Sequence, residues 1–156
     1  MAAVLVDVAD AITTALNGGS FSESFTAVRS YAEWDEALTD VDTLRVDVVP
    51  VNYTERSQLV SRNAYEYQVE TDIGVRKRFA VADQDATTGR IDTAEIDALV
   101  LLVEEINEFF IHDALGSTGT VWDAVEIRAA YVREHLRNMR QFTGIVRVTH
   151  TKDVAV

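Results

Sequence analysis

Between Asp92 and Asp113 apolar residues fall at Ile96, Leu99, Val100, Val103, Ile106, Phe109 and Phe110, and the positions between them are almost purely acidic. Spacings of three and four residues trace one stripe of a 3.6-residue period, so this segment predicts a long amphipathic helix. Asp92 stands where an N-cap is needed, and Glu95 three residues later completes a capping box. A second stripe runs through Val4, Leu5, Val8, Ile12, Ala15 and Leu16. It predicts an N-terminal helix ended by Asn17-Gly18-Gly19, residue types that supply the positive φ of many helix C-termini.

Elsewhere the period shortens to two. Leu44, Val46 and Val48 alternate with Arg45 and Asp47, the signature of a half-buried strand. Pro50, the only proline, is expected to end that ladder or to lie at an edge, because it has no N–H to donate. Tyr65, Tyr67, Val69, Thr71 and Ile73 alternate with Glu66, Gln68, Glu70 and Asp72, the clearest strand in the chain. Leu44–Leu59 and Tyr65–Val75 are placed to pair as a long hairpin turning near Ser61–Ala64. Phe21–Tyr31 reads as a strand or extended arm, and Glu33–Asp42 as an acidic turn with one helical turn around Trp34–Leu38. After the long helix, Val121–Ala130 and Phe142–Thr151 complete the strands. The order helix, strands, helix, strands predicts an α+β fold. Its antiparallel or mixed sheet has about 4–5 strands, with the N-terminal helix and the long central helix packed on one face.

Composition narrows the function classes. The chain of 156 residues, 47% hydrophobic, fits a single domain spanning 1–156 with a substantial core. No apolar run approaches the roughly 18 residues of a membrane span. Asp7 and Asp10 interrupt the apolar start and no basic stretch precedes it, so neither a signal peptide nor a membrane partner is expected. The absence of cysteine excludes disulfides, thiolate metal sites and cysteine nucleophiles. A net charge of −12 argues against tight DNA binding, which needs Lys and Arg against phosphate. The charge is also segregated. Asp83–Asp113 holds nine carboxylates against one Arg, whereas Arg76-Lys77-Arg78 and the Arg128–Arg140 stretch are locally basic. Such a division belongs to a solvated acidic face or to electrostatic matching between neighbouring subunits.

Candidate chemistry is sparse. The segment Asp83–Glu95 matches the back half of an EF-hand loop through Gly89, Ile91, Asp92 and Glu95. Its front half fails, since Gln84, Ala86 and Thr88 occupy the ligand places and Asp83 and Asp85 lie one residue early. Calcium binding through this loop is therefore a minor alternative. His112, His135 and His150 show no zinc spacing, and the glycines form no phosphate-binding fingerprint. No pair of carboxylates is singled out as an acid–base couple. No catalytic residue, cofactor or metal is expected.

The N-terminal amphipathic helix, Phe25–Tyr31, Leu44-Arg45-Val46-Asp47-Val48-Val49-Pro50 and Ser61-Arg62 before the Tyr65–Ile73 strand form a pattern across most of the chain. It continues through Ile96-Asp97-Ala98-Leu99, Val103-Glu104-Glu105-Ile106, Glu134-His135-Leu136 and Gln141–Thr149. This pattern resembles the small proteins encoded between the head-completion and major tail genes of tailed phages and prophages, most closely the tail-terminator and neck group. The resemblance implies a non-enzymatic virion protein that forms a homohexameric ring in the tail or neck, assembled in the host cytoplasm. Its partners would be the major tail tube protein and a head–tail connector or stopper, with DNA passing through the lumen without specific binding. A head–tail stopper or minor tail protein is the neighbouring reading. In a ring of this kind, Arg128, Arg133, Arg137 and Arg140 are the candidate subunit-interface residues, and carboxylates are expected to dominate the channel wall.

Overall fold

A computed structural model describes residues 3–53, 58–61, 64–80, 90–112 and 120–155. Helix α1 (Val4–Gly18) is followed by strands β1 (Ala27–Arg29), β2 (Arg45–Tyr53), β3 (Gln58–Ser61) and β4 (Ala64–Arg78). Helix α2 (Thr93–Ile111), strand β5 (Thr120–Ala129), helix α3 (Arg133–Met139) and strand β6 (Gln141–Ala155) complete the order. The strands form one mixed sheet in the order β1-β2-β4-β6-β5, with β3 beside the start of β4. Only β1 and β2 pair in parallel; the other pairs are antiparallel. The fold is α+β, as the order of patterned segments predicts.

The sheet is built around β4 and β6, which pair continuously from Ala64↔Ala155 to Arg78↔Gln141. Alternation assigns one face of these strands to Val69, Thr71, Ile73 and Val75 and to Phe142, Gly144, Val146 and Val148, all buried. Helix α1 covers that face near β1 and β2 through Val8, Ala9, Ile12 and Leu16. Helix α2 covers it near β5 and β6 through Leu99, Leu102, Val103, Ile106 and Phe110. Gly144 is required under α2, because a Cβ there would meet Val103 Cγ2 at 2.5 Å and backbone at 3.1 Å. The buried stripe of α2 includes Leu102, which the sequence pattern omitted. Ile96, Val100 and Phe109 are half-buried at its margins.

The termini of the helices refine the expectations. Asp92 caps α2, its Oδ1 accepting from Ala94 N at 3.0 Å. The carboxylate of Glu95, expected to close a capping box, instead lies 3.5 Å from Lys77 Nζ. At the end of α1, Gly19 is extended (φ −84, ψ 168) rather than left-handed, so the positive-φ reading of Asn17-Gly18-Gly19 is corrected. The missing side chain serves a different end. A Cβ on Gly19 would stand 2.8 Å from the Phe21 ring and 3.1 Å from that of Phe109. Asn17 uses its amide on β1: Nδ2 donates to Ala27 O at 3.0 Å, and Oδ1 accepts from Ala27 N at 2.7 Å.

Pro50 does not end β2, but it does lie at an edge, because β1 pairs with β2 only as far as Val48. Pairing with β4 continues to Tyr53 through a register shift between Pro50 and Asn52, an irregularity suited to a residue that lacks a donor. The expected hairpin is present in two pieces, since β2 and β3 both lie antiparallel along β4 and Ser61 pairs with Ala64. Helix α3 is an element that the pattern did not predict. It spans only seven residues, has no side-chain N-cap, and ends at Arg140 in the left-handed region (φ 52, ψ 38).

Candidate functional site

The sheet face opposite α1 and α2 is polar yet largely closed. Alternation directs Asp47 of β2, Asp72, Gly74 and Arg76 of β4, and Gln141, Thr143, Ile145 and Arg147 of β6 to that side. The segment between β1 and β2 crosses it as a strap. Arg76 Nη2 lies 2.8 Å from Asp47 Oδ2, both side chains at most 5% exposed, and Ser30 Oγ donates to Asp47 Oδ1 at 3.1 Å. The same guanidinium donates to Glu33 O at 3.4 Å and stacks 5.2 Å from the Trp34 ring centroid. Trp34 rests on Gly74, where any Cβ would fall inside the indole. Gln141 Oε1 accepts from Leu38 N at 2.7 Å, and Arg78 Nη1 donates to Leu38 O at 2.8 Å. The strap is thus pinned at three points by side chains from β4 and β6.

Beyond the strap, the same face carries an open charge cluster. Arg147 forks onto Asp72, with Nε to Oδ1 at 2.8 Å and Nη2 to Oδ2 at 3.1 Å. Glu70 lies 3.5 Å from Arg147 Nη1, and Arg128 Nη1 stands 3.9 Å from Asp72 Oδ2. The hydrogen bond to Asp72 raises the Arg147 pKa, opposed by burial and reinforced by the charges of Asp72, Glu70 and Glu126. Arg147 therefore remains a fixed cation at any physiological pH.

A shallow groove of about 470 Å³ separates the strap from the β5–α3 side. Glu33, Trp34 and Asp35 form one bank, Arg128, Val132 and His135 the other, and Ile145 is part of the lining. His135 Nδ1 lies 2.8 Å from Thr143 Oγ1, and its Nε2 is 3.2 Å from Asp35 Oδ1. A carboxylate, an imidazole and a hydroxyl in this sequence resemble the order of a nucleophile relay. Thr143 is fully buried and also receives a contact from Gln141 Nε2 at 3.4 Å, so its oxygen has no approach for a substrate. The arrangement instead latches α3 and the strap to the end of β6.

The four arginines named from the sequence fall in three settings. Arg128 reaches from β5 to the charge cluster and the groove. Arg133 and Arg137 are exposed on α3. Arg140 is turned inward at the left-handed C-cap of α3, where its Nε and Nη2 are buried without a hydrogen-bond partner and its carbonyl accepts from Phe79 N at 2.8 Å. Arg128 shares the groove with Val132 and His135 beside α3, and Arg140, at the C-cap of the helix that carries Arg133 and Arg137, differs from them in turning inward. On the opposite side, α2 turns a second stripe outward through Asp97, Leu101, Glu104 and Glu108, with Ile111 at its end; Leu101 and Ile111 are 47% and 44% exposed.

Residues 81–89 of the calcium-like segment lie outside the described residues. Among the described residues no group of three His, Asp or Glu side chains could hold a metal ion, and no helix is long and apolar enough to cross a membrane. The strap anchors Trp34, Gly74, Arg76 and Gln141 were not singled out as a set by sequence reading. The only signal was Asp47 and Asp72 recurring opposite apolar positions in strands buried on both sides. Comparison with family models and with curated protein sequences gives no match for this chain.

Proposed function

We propose that this chain is a structural virion protein, a tail terminator that closes into a ring at the head-proximal end of a phage tail. In that position it stops growth of the tail tube and joins the tail to the head connector. The observation that carries this reading is the reach of the β4–β6 ribbon. Val69 and His150 mark the last fully buried pair; from there the ladder runs on through five further pairs, Gln68↔Thr151 to Ala64↔Ala155. At about 3.4 Å per residue, the ribbon extends some 17 Å past that pair, and among its described residues only Tyr67, near its base, packs against the core. Tyr65 is 39% exposed on it, and at its base Tyr53, also 39% exposed and paired with Val69, packs its ring 5.5 Å from that of Tyr67. A two- or three-stranded ribbon gains little stability alone, so one that projects with exposed tyrosines suits contact with another subunit.

The resemblance to the terminator and neck group supplies the role, and the acidic balance of −12 suits a lumen through which DNA slides without adhering. Sedimentation equilibrium of the purified chain tests the reading. A closed species of about six protomers of 17.3 kDa is expected. Added to polymerising tail tube protein, it should arrest elongation at a fixed length. A chain that stays monomeric at high micromolar concentration and leaves tube length unchanged overturns the proposal.

A further inference from the structure

The two outward surfaces described above are complementary to each other and not to themselves. Helix α2 carries five carboxylates and no Lys or Arg between Thr93 and Ile111. Its outward stripe sets Leu101 and Ile111 among Asp97, Glu104 and Glu108, directly opposite the residues that the helix buries in the sheet. The β5–α3 end presents the reverse chemistry. Tyr131 is 44% exposed just ahead of α3, Arg133 and Arg137 are exposed one turn apart on that helix, and Arg128 is exposed three residues before Tyr131. Tyr and Arg are residues that protein interfaces favour, and Leu101 flanked by carboxylates is complementary to them in charge. Because α2 lies on one face of the sheet while Arg128 reaches Asp72 on the other, no single two-fold contact of one patch with itself satisfies both surfaces.

We infer that the α2 stripe of one copy docks on the Tyr131–Arg133–Arg137 surface of the next. This deepens the ring reading and rests on it. The contact joins two different surfaces, so each copy keeps one free donor and one free acceptor until rotation closes the set. Leu101 covers the Tyr131 ring, while Glu104 and Glu108, one and two turns further along α2, face Arg133 and Arg137. A lone exposed ion pair contributes little, but several charges around a desolvated apolar centre fix orientation and partner.

Charge exchange on the full chain tests the contact. Glu104→Arg with Glu108→Arg, and separately Arg133→Glu with Arg137→Glu, should each weaken self-association by about tenfold or more, since like charges then meet. The four substitutions combined in one chain should restore it. All four positions are exposed, and unchanged circular dichroism and melting verify the fold. A second readout uses the absence of cysteine from the chain. Leu101→Cys protein mixed with Tyr131→Cys protein should form disulfide-linked pairs on mild oxidation, whereas each alone should not. If the wild-type chain forms rings that neither charge pair weakens, or if Leu101→Cys protein links to itself, the contact is wrong and the ring reading survives. A wild-type chain that never associates removes both.

Discussion

On the helix-covered side of the sheet, Val8, Ile12, Leu99, Ile106, Phe110 and Phe142 form a mainly apolar core in which Thr71 and His150 are the buried polar side chains of the strands. On the other side, a loop of turns is held down by Arg76, Arg78 and Gln141 over an Asp47 buried beneath it. Both sides exclude water, yet they depend on different physics. Apolar burial is additive and forgiving of direction, contributing about 1.5–3 kcal/mol for each large side chain. The polar side depends on complete pairing, because Asp47 and Arg76 are each harmless only in the presence of the other. The helix side is therefore robust to small shifts, and the strap side is all-or-none.

The largest expected effect sharpens the apolar half of that contrast. Phe110→Ala should lower unfolding stability by about 3–5 kcal/mol in urea titration, since the ring is fully enclosed. Leu101→Ala, on the outer surface of the same helix, should change the stability of the monomer by less than about 0.5 kcal/mol. Equal losses at the two positions would mean that α2 does not face the sheet as described.

The polar half is broken next. Arg76→Met alone leaves Asp47 buried without its cation and should cost about 3–5 kcal/mol, whereas Arg76→Met with Asp47→Leu should recover most of that loss. Double-mutant denaturation curves measure the difference. If the single and double variants are equally unstable, the pair is not what holds the strap. Gly74→Ala should then release the strap without emptying the core, because the added methyl collides with the Trp34 ring. We expect about 1–3 kcal/mol of destabilisation and faster cleavage by a Glu-specific protease at Glu33 and Glu36. The smallest effect belongs to the junction between the two halves. Asn17→Ala should cost about 1–2 kcal/mol and raise amide exchange at Ala27, while leaving exchange in β4 and β6 unchanged.

The apolar side was legible in the sequence because it writes itself as periods of 3.6 and 2. The stripe from Ile96 to Phe110 and the alternation from Tyr67 to Ile73 both mark residues that touch the same core, whereas Tyr65 continues the alternation beyond it. The strap was not legible, since its anchors answer to one another across 29 to 103 residues and follow no local period. Arg76 was visible only as part of a basic triplet, and nothing near Gly74 announces an indole lying on it. Helix α3 escaped for a related reason: seven residues hold too few turns to establish a stripe. Arg128, Arg133 and Arg137 could be picked out by charge, but the inward turn of Arg140 follows from a left-handed backbone that its residue type does not advertise.

The Asn17 amide, which binds both the N–H and the C=O of Ala27, imitates the backbone of an adjoining strand. In β1 these two groups point away from β2, because Ser30 N, an odd number of residues on, donates inward to Val48 O. The outermost strand is therefore already satisfied at the position where a foreign strand would begin to add. Uncapped sheet edges seed runaway stacking and amyloid-like growth, and natural proteins blunt them with charges, bulges or cover. Here a single carboxamide does so from the end of a helix. Even at high concentration, the β1 edge is thereby kept from recruiting foreign strands at that position.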